Sequence, residues 1–409
     1  LISQEYDIVA RYQGGNNAGH TVKNERGKFV LNLLPSGILR PNVVCVMGNG
    51  MVIDPHHLDG EINKLREQGV EISPANLKIS DRATITMPYH VEQDGLEEAR
   101  LSKTGAQFGS TKRGIAYAYG DKYMKKTLRM GDLLHLDDAV KKRLVTMVDS
   151  KNLVMEGSYN AAPISVDEMW AWLEKYAAIF KDYICDVGQY LADADAAGKK
   201  VLFEAQLGAL RDIDFGIYPY TTSSNVIGAY APIGAGIPGH KLHNSIGVMK
   251  AYSSCVGDGP FAAELAMTEE EKHALREAGH EYGAATGRPR RVGPIDLVAS
   301  RYGVFCQGCD EVALTLLDVL DYMEKIPMVT AYKLTDGTTT RFPMGEALDT
   351  AQPVVEYLPG WHCDITAARK WEDLPQQARD YVEYLEKAVG CKITYISVGA
   401  EREAYIHRG

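Results

Sequence analysis

No apolar run in the sequence approaches the ~18 residues that a membrane-spanning helix requires, so no membrane is expected as a partner. Positive charge is not in excess either. Lys and Arg number 44 against 54 Asp and Glu, a formal charge of −10, whereas a nucleic-acid binder needs the opposite balance to meet phosphate. Cysteine is sparse and odd in number: Cys45, Cys185, Cys255, Cys306, Cys309, Cys363 and Cys391 are scattered and mostly set in apolar segments. That pattern argues against a disulfide framework and for a reducing, cytoplasmic setting. Cys306-Gln307-Gly308-Cys309 has metal-type spacing but lacks a second pair and a nearby histidine, and reads as structural. Ser-His-Asp, zinc-protease and Rossmann patterns are missing, as are internal repeats and low-complexity tracts. The chain opens on Leu1 rather than Met, just before a buried strand, so a clipped start is expected and no leader can be read.

What remains is a globular composition, 45% hydrophobic and 24% charged, with 39 glycines gathered in short clusters. Short β-branched runs that end in glycine or polar turns recur: Ile8 to Ala10, Phe29 to Leu34, Val43 to Met47, Val201 to Phe203, Met328 to Tyr332 and Ile393 to Ser397. They predict buried strands of a mainly parallel sheet. Helical segments lie between them. The clearest starts at Ser165, has Glu168 three residues on, and continues its apolar stripe through Met169, Leu173, Tyr176, Phe180, Ile184, Val187 and Leu191. Met267 to His280 predicts a solvated helix, and His56-His57 after Asp54-Pro55 reads as a turn. With no Pro/Ser-rich linker, the expectation is an α/β fold with a large, mainly parallel central sheet flanked by helices, carrying small additional subdomains, in one domain over 1–409.

Four clusters could carry chemistry. Arg11 to Val22 follows the opening strand, where open α/β sheets bind ligands; its glycines bend the backbone, and Asn17, His20 and Thr21 supply donors. Gly109-Ser110-Thr111-Lys112-Arg113-Gly114 sets hydroxyls and cations between glycines, a combination that suits phosphate but also describes many surface turns. Glu204 to Asp214 again follows a buried strand and runs on to Thr221-Thr222-Ser223-Ser224-Asn225, which could cap a helix or hold a phosphate or base edge. In Gly283 to Gly293, Arg288, Arg290 and Arg291 fall within four positions, repel one another, and have the planar fork that meets carboxylate or phosphate bidentately.

Taken in order, YQGGNNAGHTV, LLPSGIL, GNGMVIDP, SDRATITMPYH, FGSTKRGIAYAYGDK, YPYTTSSN, KAYSSCVGDGPF, GAATGRPRR, LTLLDVLD and SVGAER run end to end in the pattern of one family. The chain resembles adenylosuccinate synthetase, whose P-loop-NTPase-like fold joins inosine monophosphate (IMP) and L-aspartate at the expense of GTP, with Mg2+, as a homodimer. The resemblance implies that a glycine-rich phosphate loop and a catalytic aspartate lie before Leu1. It implies catalytic roles for His20 and Gln206 and an IMP site of Asn17, Ala18, Gly19, His20, Thr111, Lys125, Gln206, Thr222 and Arg288. It places aspartate on Ala284, Ala285, Thr286, Gly287, Arg288 and Arg290. GTP falls to Arg290, Leu316, Leu317, Asp318, Ser397, Val398 and Gly399, and magnesium to the Gly19 carbonyl. Departures from the family pattern are Glu204-Ala205-Gln206-Leu207-Gly208 in place of EGAQG, Lys125 for an arginine, Leu316 for a lysine, and Lys112 and Tyr117 for a glycine and a proline. A nucleotide-binding homologue without catalysis, and a sister ligase using a deoxy-guanylate or ATP, are the alternatives.

Overall fold

The computed structural model, which describes residues 2–24, 27–105, 109–283, 287 and 289–408, turns most of the β-branched runs into strands. The architecture is α/β with a mainly parallel sheet, as expected. Two compact units divide the chain: Leu1–Val22, Arg26–Asp214 and Thr221–Lys241 form the first, and Lys23–Glu25, Phe215–Tyr220 and Leu242–Gly409 the second.

The first unit is built on five parallel strands in the order Ile184–Cys185, Leu77–Ser80, Val44–Met47, Ile8–Arg11, Val201–Glu204. Ile8–Arg11 is buried along its whole length, as a strand flanked on both sides must be. Its register sets Arg11 beside Met47 on one neighbour and Glu204 on the other, so the two charged residues end adjacent strands at the same edge. Helices cover this sheet, among them Pro55–Glu67, Pro88–Ser102, Ile115–Met124, Asp138–Tyr159, Val166–Phe180 and Val187–Ala196. A core including Leu31, Met47, Ile53, Leu58, Leu144, Leu173 and Phe180 fills the space between.

In the second unit, Ile246–Lys250, Glu311–Thr315 and Lys392–Ser397 run parallel, and Tyr405–His407 closes that sheet antiparallel. Lys325–Leu334 pairs parallel with Ile295–Asp296 but antiparallel with Gly337–Thr339 and Gln352–Pro359. Helix Gln376–Val389 buries Ala378, Tyr381, Val382, Leu385 and Val389, one stripe at helical spacing, in this unit's core.

Several expectations need correction. The strands read as one sheet belong to separate sheets, because parallel and antiparallel partners cannot be told apart from an apolar run alone. Helix Ser165 to Leu191 is two helices, Val166–Phe180 and Val187–Ala196, with strand Ile184–Cys185 between them. Ile184 pairs with Ile79 at the sheet edge, and Asp186 starts the second helix by accepting from the Gln189 N–H at 3.0 Å. His56 and His57 are not a turn: Asp54 accepts both their N–H groups, at 3.0 and 3.1 Å, and caps Pro55–Glu67. Phe29 to Leu34 is a strand only within Gly27–Leu31, in a two-stranded sheet with His20–Asn24. Beyond it, the buried carboxylate of Glu61 takes the N–H groups of Asn32, Leu33 and Leu34 at 2.8, 2.8 and 3.3 Å and pulls the backbone off the strand path. The solvated helix does form, as Glu269–Gly279, with Thr268 and Glu271 capping each other's backbone.

Three backbone N–H groups on one side chain, two of them from buried residues, make Glu61 a structural anchor. Glu61→Ala leaves them unpaired and is expected to cost roughly 3 kcal/mol, read as a lowered urea midpoint; a midpoint equal to wild type would contradict the anchoring.

Candidate active site

At the carboxyl edge of the first unit's sheet, Arg11 is almost fully buried, 1% exposed. A guanidinium offers donors only, so its neighbours must be acceptors. Nη1 donates to the Asn32 carbonyl and Nη2 to Oε1 of Gln206, with the charges of Glu204 and Glu61 close by. Because Arg11 takes Oε1, the Gln206 amide turns its Nε2 outward, 3.2 Å from Asn17 Oδ1 and 3.4 Å from the Gly15 carbonyl. The backbone must make room. Gly14 adopts φ 75°, and a Cβ there would lie 1.8 Å from Gln206 Nε2, so no other residue fits under the amide. Tyr119 steadies the same turn, accepting from the Gly14 N–H at 2.9 Å and donating to the Gly50 carbonyl at 2.7 Å.

Asn17 extends the network, its Nδ2 lying 3.4 Å from Thr222 Oγ1. Thr222 is held by its own N–H to the Arg211 carbonyl at 2.8 Å. Three predicted site residues, Asn17, Gln206 and Thr222, therefore sit in one hydrogen-bonded group. Ala18 is tied through its carbonyl to Asn32 Nδ2 at 3.3 Å, and Gly19 is exposed. His20 opens strand His20–Asn24 with Nε2 buried, without a hydrogen-bond partner, and 3.8 Å from Glu204 Oε1. Gln206 faces the Gly14 turn, while Leu207 takes a left-handed φ of 83° and is 38% exposed.

Thr111 is exposed, and the segment around it is already tethered. Glu98 accepts from the Gly109 and Ser110 N–H groups at 3.0 and 3.2 Å. Asp94 accepts from the Ser110 hydroxyl at 2.6 Å and the Gly114 N–H at 2.9 Å. Of its two hydroxyls, then, Ser110 is committed to the protein. Lys125, exposed and left-handed at φ 62°, ends helix Ile115–Met124.

The second unit holds the arginine cluster. Ala284, Ala285, Thr286 and Arg288 lie outside the described residues. Gly287 closes onto Gly283 through a 2.8 Å backbone hydrogen bond. Arg290 donates from Nη1 to Glu281 at 2.7 Å and leaves a buried Nε without a partner. Arg291 is fully employed inside the fold, donating to Glu264 and to the Gly259 carbonyl at 2.7 Å each and lying over the Phe261 ring. The expectation that three arginines await anions is thus corrected for Arg291. Glu264, distant in sequence, neutralises it.

At the carboxyl ends of two neighbouring parallel strands, Glu311–Thr315 and Lys392–Ser397, lie the segments of Leu316 to Asp318 and Ser397 to Gly399. Leu316 is left-handed at φ 61° and Leu317 is buried. Asp318 has a buried Oδ1 with no partner, and its carboxyl is raised above its ordinary value by burial and by Asp321 and Asp364. An acceptor so placed suits a ligand that brings N–H donors. Val398 donates its N–H to the Ala404 carbonyl at 2.9 Å, and Ser397 its hydroxyl to the Gly399 carbonyl at 3.1 Å.

Sequence reasoning missed the supporting charges. Arg11 was legible only as a charged residue ending an apolar strand. Glu281 and Glu264 carry no local signal at all.

A family model described as adenylosuccinate synthetase matches residues 1–406. The chain belongs to the adenylosuccinate synthetase family. The adenylosuccinate synthetase of Caldanaerobacter subterraneus subsp. tengcongensis is 43% identical over 406 residues, spanning 99% of this chain and 94% of the relative. That of Carboxydothermus hydrogenoformans is 44% identical over 407 residues with the same shares. The structure of fully ligated adenylosuccinate synthetase from Plasmodium falciparum matches with a TM-score of 0.91 and 33% identity, covering 100% of this chain and 95% of that one. A cyanophage S-2L succinoaminodeoxyadenylate synthetase bound to dGMP and dATP matches at a TM-score of 0.58 and 17% identity, which places the two in one fold. No helix among the described residues is long and apolar enough to cross a membrane.

Within the adenylosuccinate synthetase fold of this chain, His20 has a testable titration. Burial lowers its pKa below 6.5, the Glu204 carboxylate opposes that shift, and Arg11 adds to it. The folded imidazole therefore holds its proton less firmly than the unfolded one, is neutral near pH 7, and works against the fold when protonated at lower pH. An NMR titration is expected to give a midpoint below the free-imidazole value of ~6.5, falling further in Glu204→Gln. A midpoint above that value would overturn the assignment of causes.

Proposed function

We infer that this chain is a ligase that makes adenylosuccinate from IMP and L-aspartate while GTP is cleaved to GDP and phosphate, a step in AMP biosynthesis. The family match over residues 1–406 carries the reading. It favours the ligase over a non-catalytic homologue or a deoxy-guanylate ligase.

The reaction divides one difficult substitution into two. The purine O6 attacks the γ-phosphorus of GTP and GDP departs; the amine of aspartate then attacks C6, and the transferred phosphoryl group leaves as phosphate with that oxygen. In our reading Gln206, Asn17 and Thr222 hold the IMP, since their amides and hydroxyl already converge on one turn. Ala18 and Thr111 border the same nucleotide, and Lys125 reaches its phosphate across a homodimer. His20, kept neutral and with Nε2 unpartnered, donates to the γ-phosphoryl oxygens. Residues 284–288 and Arg290 bind aspartate, and Arg290 also meets a GTP phosphate. Asp318 accepts from the guanine N1 and amino hydrogens, a pairing adenine cannot make, while Leu316, Leu317 and Ser397 to Gly399 border the base.

Magnesium fits the donor set. Gly19, an exposed residue, has a hard carbonyl oxygen of the kind magnesium takes. Bound there, it would neutralise phosphate charge. Seven cysteines, none of them in a disulfide, support a cytoplasmic setting.

The test is direct: purified protein supplied with IMP, aspartate, GTP and Mg2+ should form adenylosuccinate, and no product with GTP would refute the reading. His20→Ala should lower kcat by about 10²-fold or more, the loss expected for a donor aimed at transition-state charge; near wild-type turnover would remove that role. Asp318→Asn should cut kcat/KM for GTP by about 10²-fold or more, because one guanine N–H then meets a donor. Unchanged GTP kinetics would place the base elsewhere.

A further inference from the structure

A buried carboxylate in the second unit that accepts three side-chain hydrogen bonds has no place in that chemistry. Glu281 is 1% exposed and stands two positions before Gly283 in the chain. Its Oε1 accepts from Lys250 Nζ at 2.5 Å and from the Tyr252 hydroxyl at 2.7 Å, and its Oε2 accepts from Arg290 Nη1 at 2.7 Å. Its backbone carbonyl also takes the Arg290 N–H at 2.8 Å, beside a Tyr282–Pro289 bridge. One residue thus staples both the backbone and the side chain of Arg290.

The surroundings are built for this contact. Gly279, in the last turn of helix Glu269–Gly279, has no room for a side chain: a Cβ would lie 2.3 Å from the Tyr252 hydroxyl. His280 then turns left-handed at φ 50° and delivers Glu281 inward. Strand Arg291–Gly293 begins immediately after Arg290 and is paired with Ser253–Cys255, so the far end of the arginine is fixed as well. Burial alone would raise the Glu281 carboxyl, but the Lys250 and Tyr252 hydrogen bonds and the neighbouring cations outweigh it, leaving the group ionised. A buried carboxylate shared by two cations is costly unless its geometry is used.

We propose that Glu281 is a positioning residue for Arg290: it grips the guanidinium by Nη1 and so presents the rest of the fork in one orientation to the carboxylate of the amino-acid substrate. The proposal rests on the ligase reading, which assigns Arg290 to aspartate. Glu281 itself touches no substrate; it acts through the arginine. Lys250 balances the second half of the carboxylate charge, and Tyr252 fills its remaining acceptor position.

Steady-state kinetics separate this role from a merely structural one. Glu281→Gln should raise the KM for aspartate about 10-fold or more with kcat within about 3-fold of wild type. Tyr252→Phe, which leaves the Arg290 pair intact, should keep that KM within about 2-fold. In an Arg290→Gln background, adding Glu281→Gln should change the aspartate KM by less than about 2-fold, since the two residues act as a unit. Equal factors in both backgrounds, or a lowered kcat with unchanged aspartate KM, would overturn the proposal. If Glu281→Gln does not fold by its thermal melt, Glu281→Asp withdraws the carboxylate from Nη1 and carries the same expectation. Failure of the ligase reading shows separately, as wild-type protein that forms no adenylosuccinate. Thermal-shift titration with L-aspartate or inorganic phosphate then decides: a wild-type shift lost in Glu281→Gln supports the positioning role, and a shift retained in the variant, or none in wild type, overturns it.

Discussion

A buried guanidinium sets the terms for the carboxyl edge of the first unit's sheet. Arg11 ends an interior strand of a five-stranded parallel sheet with almost no access to water, so each of its donors must find an acceptor inside the protein. Asn32 and Gln206 answer with oxygens, and Glu204 and Glu61 with charge. From that arrangement the orientation of one amide follows, then the need for glycine at position 14, then the place of Asn17 and Thr222. The loop takes its polar order from a charge at its root.

The second unit uses the same device with the sign reversed. There a carboxylate, Glu281, is buried and gathers a lysine, a tyrosine and an arginine. In both places the buried ionic group lies within a few positions of glycines along the chain, Gly14 and Gly15 for Arg11 and Gly279 and Gly283 for Glu281. Asp318 shows the complementary situation, an acceptor whose Oδ1 has been taken out of water and given no internal donor. Polar groups satisfied within the fold build the frame.

Much of this was legible in the residues, and the remainder failed for physical reasons. Strand Val44–Met47 and helix Glu269–Gly279 were evident because an apolar run and a run of charged helix formers are local properties. The break after Phe180 was not, since it depends on Ile184 finding Ile79, more than a hundred positions away, at a sheet edge. Met328 to Tyr332 was recognisable as a strand, but nothing in its composition told which partners were parallel. The same limit governs the site. Glycine-rich segments announced Asn17, His20 and Gln206, and the resemblance supplied their roles. Arg291 looked as available as Arg290 until Glu264 appeared beneath it. Proximity along the chain discloses which groups are present; only the fold discloses which of them are already spent on each other.

The central claim is a transfer through the purine oxygen, and isotope labelling addresses it most directly. IMP labelled with 18O at position 6, turned over with unlabelled aspartate and GTP, should deliver the label to inorganic phosphate. Label appearing in water, with unlabelled phosphate, would contradict the account.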